Sequence, residues 1–332
     1  MDYQKNLINN NIQCLLCPRK CVLAPDGMGY CLARKNINGK IQQSGFGYSS
    51  GFAIDPVEKK PLFHFLPTSK TFSFGTFGCN MGCVFCQNYH ISKIPFSPEN
   101  AVMASPEQVV LSALKYGCKS ISFTYNEPII FYQYAKDVAK IAHEYGLKTI
   151  AVTAGYILPE PRKDFFSHID AFNIDLKGFS SDFYKKFCNA DISFVLDTID
   201  YVANQTDSVL ELTTLLIPDE NDDSEMLKRE YDWILTNLGE NIPLHLSAFH
   251  PDYKLLEKEK TDASVITSAY NLAKQSGLNY VYSGNIADTS TSVTSCPKCG
   301  FRLITRNYYD TSVVGLNGNK CANCGQEIYG IF

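Results

Sequence analysis

The chain has 332 residues, of which 45% are hydrophobic and 19% are charged. This balance is typical of a folded globular protein, and the length suits one large α/β domain with one or two small appendages. The formal net charge of −4 excludes a global positive field, so we expect no nucleic-acid partner. No window approaches the roughly 18 apolar residues of a membrane span, and the first residues lack a signal-peptide pattern. We therefore expect a cytoplasmic protein without a membrane partner.

Residues 1–69 are predicted to form a small metal-binding module followed by a connector. Four cysteines occur there with the spacing C-x2-C-x3-C-x9-C, and they are Cys14, Cys17, Cys21 and Cys31. In a reducing cytoplasm, such close spacing indicates a metal site rather than disulfides. Tetrahedral zinc fits the spacing, and iron remains an alternative because spacing alone does not select the metal. Residues 33–70 are predicted to be an irregular connector.

Residues 70–285 alternate short β-branched or aromatic runs with longer segments of helical period, which is typical of repeated βα units. Seven strands are predicted, at residues 71–77, 120–125, 148–154, 171–176, 209–216, 243–249 and 279–284. Ser105 and Pro106 predict the start of a helix that ends near Gly117. We therefore predict an α/β fold, a partial (β/α)6-type TIM barrel, whose functional residues gather at the C-terminal ends of the strands.

Polar or metal-binding residues do follow most of the predicted strands. They are Cys79 after the first strand, Asn126 and Glu127 after the second, Thr153 and Gly155 at the third, Asp175 and Lys177 at the fourth, and His250 after the sixth. If the strands are parallel, these side chains should meet at one mouth of the barrel.

Residues 286–332 are predicted to form a zinc-ribbon-like module. Two C-x2-C pairs, Cys296 with Cys299 and Cys321 with Cys324, are each followed by a glycine, and a strand-rich segment separates them. This pattern predicts a second structural zinc site. Weak local basicity again disfavours nucleic-acid binding.

The central segment GTFGCNMGCVFCQN, residues 75–88, contains a trio of cysteines, Cys79, Cys83 and Cys86, with the spacing C-x3-C-x2-C. Because each outer group already has four thiolates, the trio is predicted to hold a metal centre with one coordination position open. An open position usually indicates chemistry at the metal. The alternative is a zinc site completed by another residue, for instance His90.

This motif, following the first strand of a βα series, resembles the radical S-adenosylmethionine (SAM) superfamily. The segments 55–92, 123–128 (FTYNEP), 173–179 (NIDLKGF) and 249–253 (FHPDY) further resemble the AmmeMemoRadiSam-system radical SAM enzymes, relatives of the pyruvate formate-lyase activating enzymes. The resemblance implies a [4Fe-4S] cluster on the trio, with SAM as the ligand of its fourth iron. Reductive cleavage of SAM would give a radical that abstracts hydrogen from, or modifies, an unidentified substrate.

The resemblance also implies contacts with SAM. Asn126 and Glu127 occupy the position where the superfamily often has Gly-Gly-Glu, whose carboxylate binds the methionyl ammonium; the glycines are absent here. A carboxylate is a suitable acceptor for that cation, and a solvated helix N-terminus is the alternative role. Asp175 and Lys177 share one face of a strand. In related enzymes such residues lie near the ribose and carboxylate of SAM, and an ion pair at the barrel mouth is the alternative.

Four further residues are expected near this site. Thr153 and Gly155 are candidates to hold the ammonium of SAM through backbone carbonyls. His250 is expected to meet the adenosyl group or the substrate, with a structural role as the alternative. Cys188 is a candidate hydrogen-atom donor, although unpaired cysteines are mostly small buried hydrophobes.

The implied enzyme, an oxidoreductase, needs a reductant such as flavodoxin or ferredoxin, and a protein or peptide is one candidate for its substrate. Two functions remain open within the enzyme class: direct modification of a substrate, and installation of a glycyl radical on a partner protein. The rivals are an iron-sulfur electron carrier, which needs a fully ligated cluster, and a zinc-ribbon adaptor, which leaves the trio unexplained.

Overall fold

The computed structural model describes residues 3–287 and 289–332. Its centre is one eight-stranded sheet, whose strands we number along the chain. They are β1 (Gly51–Pro56), β2 (Lys70–Gly75), β3 (Ser120–Phe123), β4 (Lys148–Thr153), β5 (Ala171–Asp175), β6 (Val209–Leu216), β7 (Leu244–Ala248) and β8 (Val281–Gly284). Strands β2 to β8 are parallel and adjacent in chain order, whereas β1 pairs antiparallel with β2.

Helices connect the successive parallel strands. They are α1 (Pro106–Lys115), α2 (Tyr132–Glu144), α3 (Pro159–Phe166), α4 (Ile192–Gln205), α5 (Ser224–Asn237) and α6 (Ala263–Ser276). Two shorter helices, Tyr89–Ser92 and Ser181–Phe183, lie in the loops after β2 and β5. Seven parallel strands joined by six helical connections confirm the predicted partial (β/α)6 barrel.

The local sequence sets the ends of α1 as predicted. Ser105 Oγ accepts a hydrogen bond from Gln108 N, and the Gln108 side chain accepts one from Ser105 N, which makes a capping box. Pro106 occupies the first turn, where its missing N–H costs nothing. Gly117 follows the helix at φ 67°, a left-handed conformation that glycine adopts without steric cost.

The segment 33–70 is not irregular, contrary to the expectation from its sequence. It contains a hairpin, Arg34–Ile37 with Lys40–Gln43, and then β1, which pairs with β2 along its whole length. Strand β1 begins with a glycine and ends at Pro56, residues that weaken a strand signal. As the edge strand of the sheet it tolerates both of them.

The C-terminal module packs against the N-terminal ends of the parallel strands. Its strands are Thr294–Ser295, Arg302–Asn307, Asp310–Val313, Leu316–Asn317 and Lys320–Cys321. Apolar residues of the module form one buried cluster with Phe63, Tyr280 and Tyr282. Arg306 Nη2 donates a hydrogen bond to Phe63 O at 2.7 Å. The module therefore closes the bottom of the barrel, opposite the predicted functional mouth.

The N-terminal module contains a small antiparallel sheet of three strands, Gln4–Asn6, Ile12–Cys14 and Val22–Leu23. A further two-stranded pair joins Tyr48–Ser49 to Val102–Met103. In the parts of the chain that the structure describes, no helix has the length and apolar character needed to cross a bilayer.

Candidate active site

An open cleft lies at the C-terminal ends of the parallel strands. Its lining includes most of the residues that the strand ends predict, namely Cys79, Cys83, Cys86, Asn126, Glu127, Thr153, Asp175 and Lys177. The fold therefore brings together residues that are up to about a hundred positions apart in the chain.

The loop that carries the trio is held in place by Asn126. Thr76 N donates to Asn126 Oδ1 at 2.9 Å, and Asn126 Nδ2 donates to Gly78 O at 2.9 Å. Asn126 is buried, and its amide oxygen and nitrogen both bond to the start of this loop. The side chain therefore serves to position the cysteines, a role that the sequence does not reveal.

The three sulfur atoms of the trio do not all lie within 4.8 Å of one another. Among the described residues, only the C-terminal four cysteines form a group of three or more potential ligands whose atoms all lie within 4.8 Å of one another. Ligands to separate irons of a cluster stand farther apart than ligands to one ion. His90, the alternative fourth ligand, is exposed and lies outside the cleft lining.

Cys188 lies directly behind Cys83. It ends a π-helical turn, Tyr184–Cys188, and its carbonyl accepts a hydrogen bond from Gly82 N at 2.8 Å. The Cys188 thiol also hydrogen-bonds Cys83 and thereby lowers the pKa of Cys83. Cys188 is fully buried and outside the cleft lining. Its contact is with Cys83 of the trio and not with the cleft.

Glu127 crosslinks the ends of β3 and β4. Its Oε1 accepts hydrogen bonds from Ile129 N at 3.2 Å and Thr153 Oγ1 at 2.5 Å, and its Oε2 accepts one from Ala154 N at 2.8 Å. Burial raises the pKa of Glu127 to about 7 despite these donors. A carboxylate has about four acceptor positions, so one remains for a cationic ligand.

Asp175 and Lys177 form an ion pair at the mouth of the barrel, with Lys177 Nζ 2.8 Å from Asp175 Oδ2. Burial alone would lower the pKa of Lys177, but the negative charges of Asp175, Cys83 and Cys188 together outweigh it and hold the pKa well above its usual value. Both side chains line the cleft. They therefore present one positive and one negative group to a ligand.

Two predicted site residues lie elsewhere. His250 is exposed, and its Nδ1 lies 3.4 Å from Pro251 O. Gly155 faces Thr198 and Ile174, and a Cβ there would lie 3.2 to 3.3 Å from their methyl carbons. Neither residue is part of the cleft lining.

Sequence reasoning missed a charged group that enters the cleft from the segment between β1 and β2. Lys60 lines the cleft, and its Nζ lies 2.5 Å from the buried carboxylate of Asp55. Tyr125 OH donates to the same carboxylate at 2.7 Å. Lys60 precedes the first strand that the sequence predicts, so the strand-end pattern could not find it.

Comparisons with known proteins agree with this arrangement. A family model described as the radical SAM superfamily matches residues 74–230. An uncharacterized protein of Methanocaldococcus jannaschii is 40% identical over 330 residues, covering 99% of this chain and 98% of that protein. The GTP 3′,8-cyclase of Limosilactobacillus fermentum is 27% identical over 207 residues, covering 61% of this chain and 60% of that protein.

Solved structures show the same fold. A radical SAM methyltransferase from Sphaerobacter thermophilus superposes with a TM-score of 0.53 at 14% identity, over 66% of this chain and 67% of that chain. At this identity the likeness concerns the fold alone. The matched segment contains the trio, Glu127, Asp175 and Lys177. The chain therefore belongs to the radical SAM superfamily.

Proposed function

We propose that this protein is an enzyme that reductively cleaves SAM at a [4Fe-4S] cluster held by Cys79, Cys83 and Cys86, and that it uses the radical to abstract hydrogen from, or modify, a substrate. The observation that carries this proposal is the trio on one loop of an open cleft that the buried carboxylate of Glu127 also lines. A cluster ligated by three cysteines leaves one iron free for SAM, and when reduced it supplies the electron that breaks a carbon-sulfur bond.

The residues opposite the trio suit the polar groups of SAM. Glu127 is buried, so its carboxylate is worth more to a bound ammonium than an exposed one would be. Lys177 supplies a cation for a carboxylate, and Asp175 supplies acceptors for ribose hydroxyls. Burial of the cleft floor also keeps water away from a reactive species.

The cleft has the size of a small-molecule site and opens to solvent at its mouth. Its volume is about 560 Å³, within the roughly 300 to 1,000 Å³ that such sites have. We propose that a substrate, for which a protein or peptide is one candidate, enters through this mouth. A cytoplasmic low-potential donor such as flavodoxin or ferredoxin is the proposed reductant.

The test is anaerobic cleavage of SAM by the iron-loaded protein with dithionite as electron source. We expect methionine and 5′-deoxyadenosine in the wild type and neither product in Cys83→Ala, because the cluster loses a ligand. Cys118→Ala is the matched control, since Cys118 is a buried cysteine outside all three groups. Cleavage at the wild-type rate in Cys83→Ala would contradict the proposal. Installation of a glycyl radical would appear separately, as an EPR signal on an added partner protein.

A further inference from the structure

The lining of the cleft carries more positive than negative side chains. Four lysines and two carboxylates belong to it. The proposed contacts with SAM use both carboxylates and Lys177. Lys93 Nζ donates a hydrogen bond to Met81 O at 2.8 Å, within the loop of the trio. Lys59 and Lys60 remain, and the proposed function gives neither of them a role.

Lys59 and Lys60 share the carboxylate of Asp55. Lys59 Nζ lies 3.0 Å from Asp55 Oδ1, and Lys60 Nζ lies 2.5 Å from Asp55 Oδ2. Tyr125 OH donates to Oδ2 as well. One carboxylate therefore stands between two ammonium groups and leaves one positive charge uncompensated. Burial lowers the pKa of Lys60 even with Asp55 beside it, so a second anion would stabilise the charged form.

Lys60 also has hydrogen-bond donors without acceptors. Its side chain is only 2% exposed, yet it forms part of the cleft lining. An ammonium group has three donors, and within the described parts of the chain Lys60 Nζ donates to Asp55 alone. A buried cation with unused donors is costly unless an anion meets it. An anionic group of a ligand in the cleft would supply the acceptors.

Hydrogen bonds fix the segment that follows Lys60 against the inner face of the barrel. Pro61 O accepts a hydrogen bond from Asn173 Nδ2 of β5 at 2.8 Å. Phe63 N donates to Glu211 Oε1 of β6 at 2.8 Å. The lysine is therefore held in place on the floor of the cleft before any ligand binds, which lowers the cost of ordering it.

Tyr125 joins this pair of lysines to the proposed SAM site. It directly precedes Asn126 in the chain, and its backbone has φ 70°, an uncommon value for a residue with a side chain. Asn88 Nδ2 donates to Tyr125 O at 2.7 Å and supports this conformation. Its hydroxyl reaches Asp55 from there. Backbone conformations of this kind persist where the surroundings hold them, often at ligand sites.

Neutral polar groups line the cleft together with the lysines. Thr213, Ser247 and Asn285 are among them. Asn285 Nδ2 donates to Ser247 Oγ at 2.9 Å, and Thr213 Oγ1 donates to Asn173 Oδ1 at 2.9 Å. Hydroxyl and amide groups beside a cation suit a polar, charged ligand better than an apolar one.

From these observations we infer that Lys59 and Lys60, held by Asp55, form an anion-binding subsite on the cleft floor, which takes a carboxylate or phosphate group of the substrate. Lysine binds either group as a point charge. The inference rests on the proposed function only in calling this ligand the substrate. The subsite is separate from Lys177, which is assigned to the carboxylate of SAM.

The test is calorimetric titration of the oxidised, iron-loaded protein with inorganic phosphate and, separately, with acetate. Saturating SAM is present, so that Lys177 is covered. We expect at least one of the two anions to bind the wild type, and its identity shows which group the subsite prefers. Lys60→Met should weaken that binding about ten- to hundredfold, and Lys59→Met should weaken it less, because Lys59 is half exposed. Lys260→Met is the matched control, since Lys260 is exposed and outside the cleft lining.

Three results would overturn the inference. They are the absence of binding for both anions, equal affinity in Lys60→Met and Lys260→Met, and a tenfold loss of SAM affinity in Lys60→Met, which would assign the subsite to the cofactor. If Lys60→Met does not fold, an unchanged anion affinity in Lys59→Met also contradicts the inference.

The outcome is independent of SAM cleavage. No reductant is present, so a protein that cannot cleave SAM gives the same anion affinities. A second titration, without SAM and in the Lys177→Met background, removes the other cation at this part of the cleft. The effect of Lys60→Met on anion binding should persist there, even if the protein does not bind SAM at all.

Discussion

At the scale of single residues, Glu127 combines a structural and a binding role in one carboxylate. Two of its acceptor positions tie β3 to β4 through Thr153 and Ala154, a third accepts from Ile129 N just after β3, and the cleft reaches the remaining one. Its pKa of about 7 means that the negative charge is present above neutral pH and lost below it. Protonation therefore removes the attraction for an ammonium group within the range where the enzyme can be studied.

We predict that the affinity for SAM falls about tenfold for each pH unit below 7. Glu127→Gln should weaken binding about ten- to hundredfold at pH 8 and flatten the pH profile, because the amide has no charge to lose. Asp175→Asn is the comparison variant. It should weaken SAM binding less than Glu127→Gln does, since the partner of Asp175, Lys177, lies at the open mouth. Calorimetric titration with SAM from pH 6 to pH 8.5 measures this affinity for the wild type and both variants. A steep profile in Glu127→Gln would show that another group binds the ammonium.

Cys188 acts at the same scale but through Cys83. A donor to a cluster sulfur stabilises the extra negative charge of the reduced state, so its loss should make reduction harder. We predict that Cys188→Ala lowers the reduction potential of the central cluster by about 20 to 60 mV, the equivalent of a hydrogen bond of roughly 0.5 to 1.5 kcal/mol in a one-electron couple.

An EPR-monitored redox titration measures this shift. Cys188→Ser restores a donor and should recover part of the shift, which a purely space-filling role would not predict. Cys118→Ala controls for the loss of a buried thiol. An unchanged potential in Cys188→Ala, with the cluster fully assembled, would show that the thiol has no influence on the cluster.

At the scale of elements, the N-terminal module and the loop of the trio meet with almost no space between their backbones. A Cβ at Gly78 would lie 2.0 Å from the carbonyl oxygen of Cys31. Gly78 also has φ 87°, a conformation that side chains disfavour. Two separate costs therefore oppose any larger residue at this position.

We predict that Gly78→Ala lowers the free energy of unfolding by more than 3 kcal/mol and reduces iron loading at the trio, because the module and the loop must move apart. Gly117→Ala isolates the backbone cost, since Gly117 has φ 67° and no atom within 4 Å of its Cβ position. The free energy of unfolding of Gly117→Ala should fall by only about 1 to 2 kcal/mol. Denaturant unfolding and iron analysis of both variants check the prediction, and equal effects would rule out the contact with Cys31 as the cause.

The elements also show what the sequence can and cannot predict. Strands β2 to β8 were predictable because buried parallel strands are continuous apolar runs, and the trio was predictable because its ligands are local. Strand β1 was missed because its identity depends on pairing with β2. Three features of the site join distant parts of the chain, and no local sequence pattern indicates them. They are the contact of Cys188 with Cys83, the hydrogen bonds of Asn126 to the loop of the trio, and the position of Lys60 in the cleft lining.

At the scale of the whole molecule, the two outer modules close different parts of the barrel. The N-terminal module supports the loop of the trio at the upper mouth. At the lower end Glu211 of β6 is fully buried and accepts hydrogen bonds from Phe63 N, His64 N and His245 Nε2. The C-terminal module covers this network, since Tyr329 O lies 2.6 Å from His64 Nδ1 and Tyr329 OH accepts a hydrogen bond from Leu210 N at 2.7 Å. The barrel floor thus depends on a module that lies far away in sequence.

We therefore predict that the C-terminal metal stabilises the entire barrel while leaving the chemistry at the opposite end untouched. The double variant Cys296→Ser, Cys321→Ser removes two ligands, and loss of a structural metal site worth several kcal/mol should lower the Tm by about 10 °C. Below that Tm the absorbance and EPR signal of the central cluster should equal those of the wild type. Cys118→Ser is the control for a buried cysteine outside the metal sites. Because the module and the barrel share the apolar cluster around Phe63, unfolding followed by circular dichroism should remain a single transition. A separate early transition with an unchanged barrel Tm would show that the module only adheres to the barrel floor and contributes nothing to its stability.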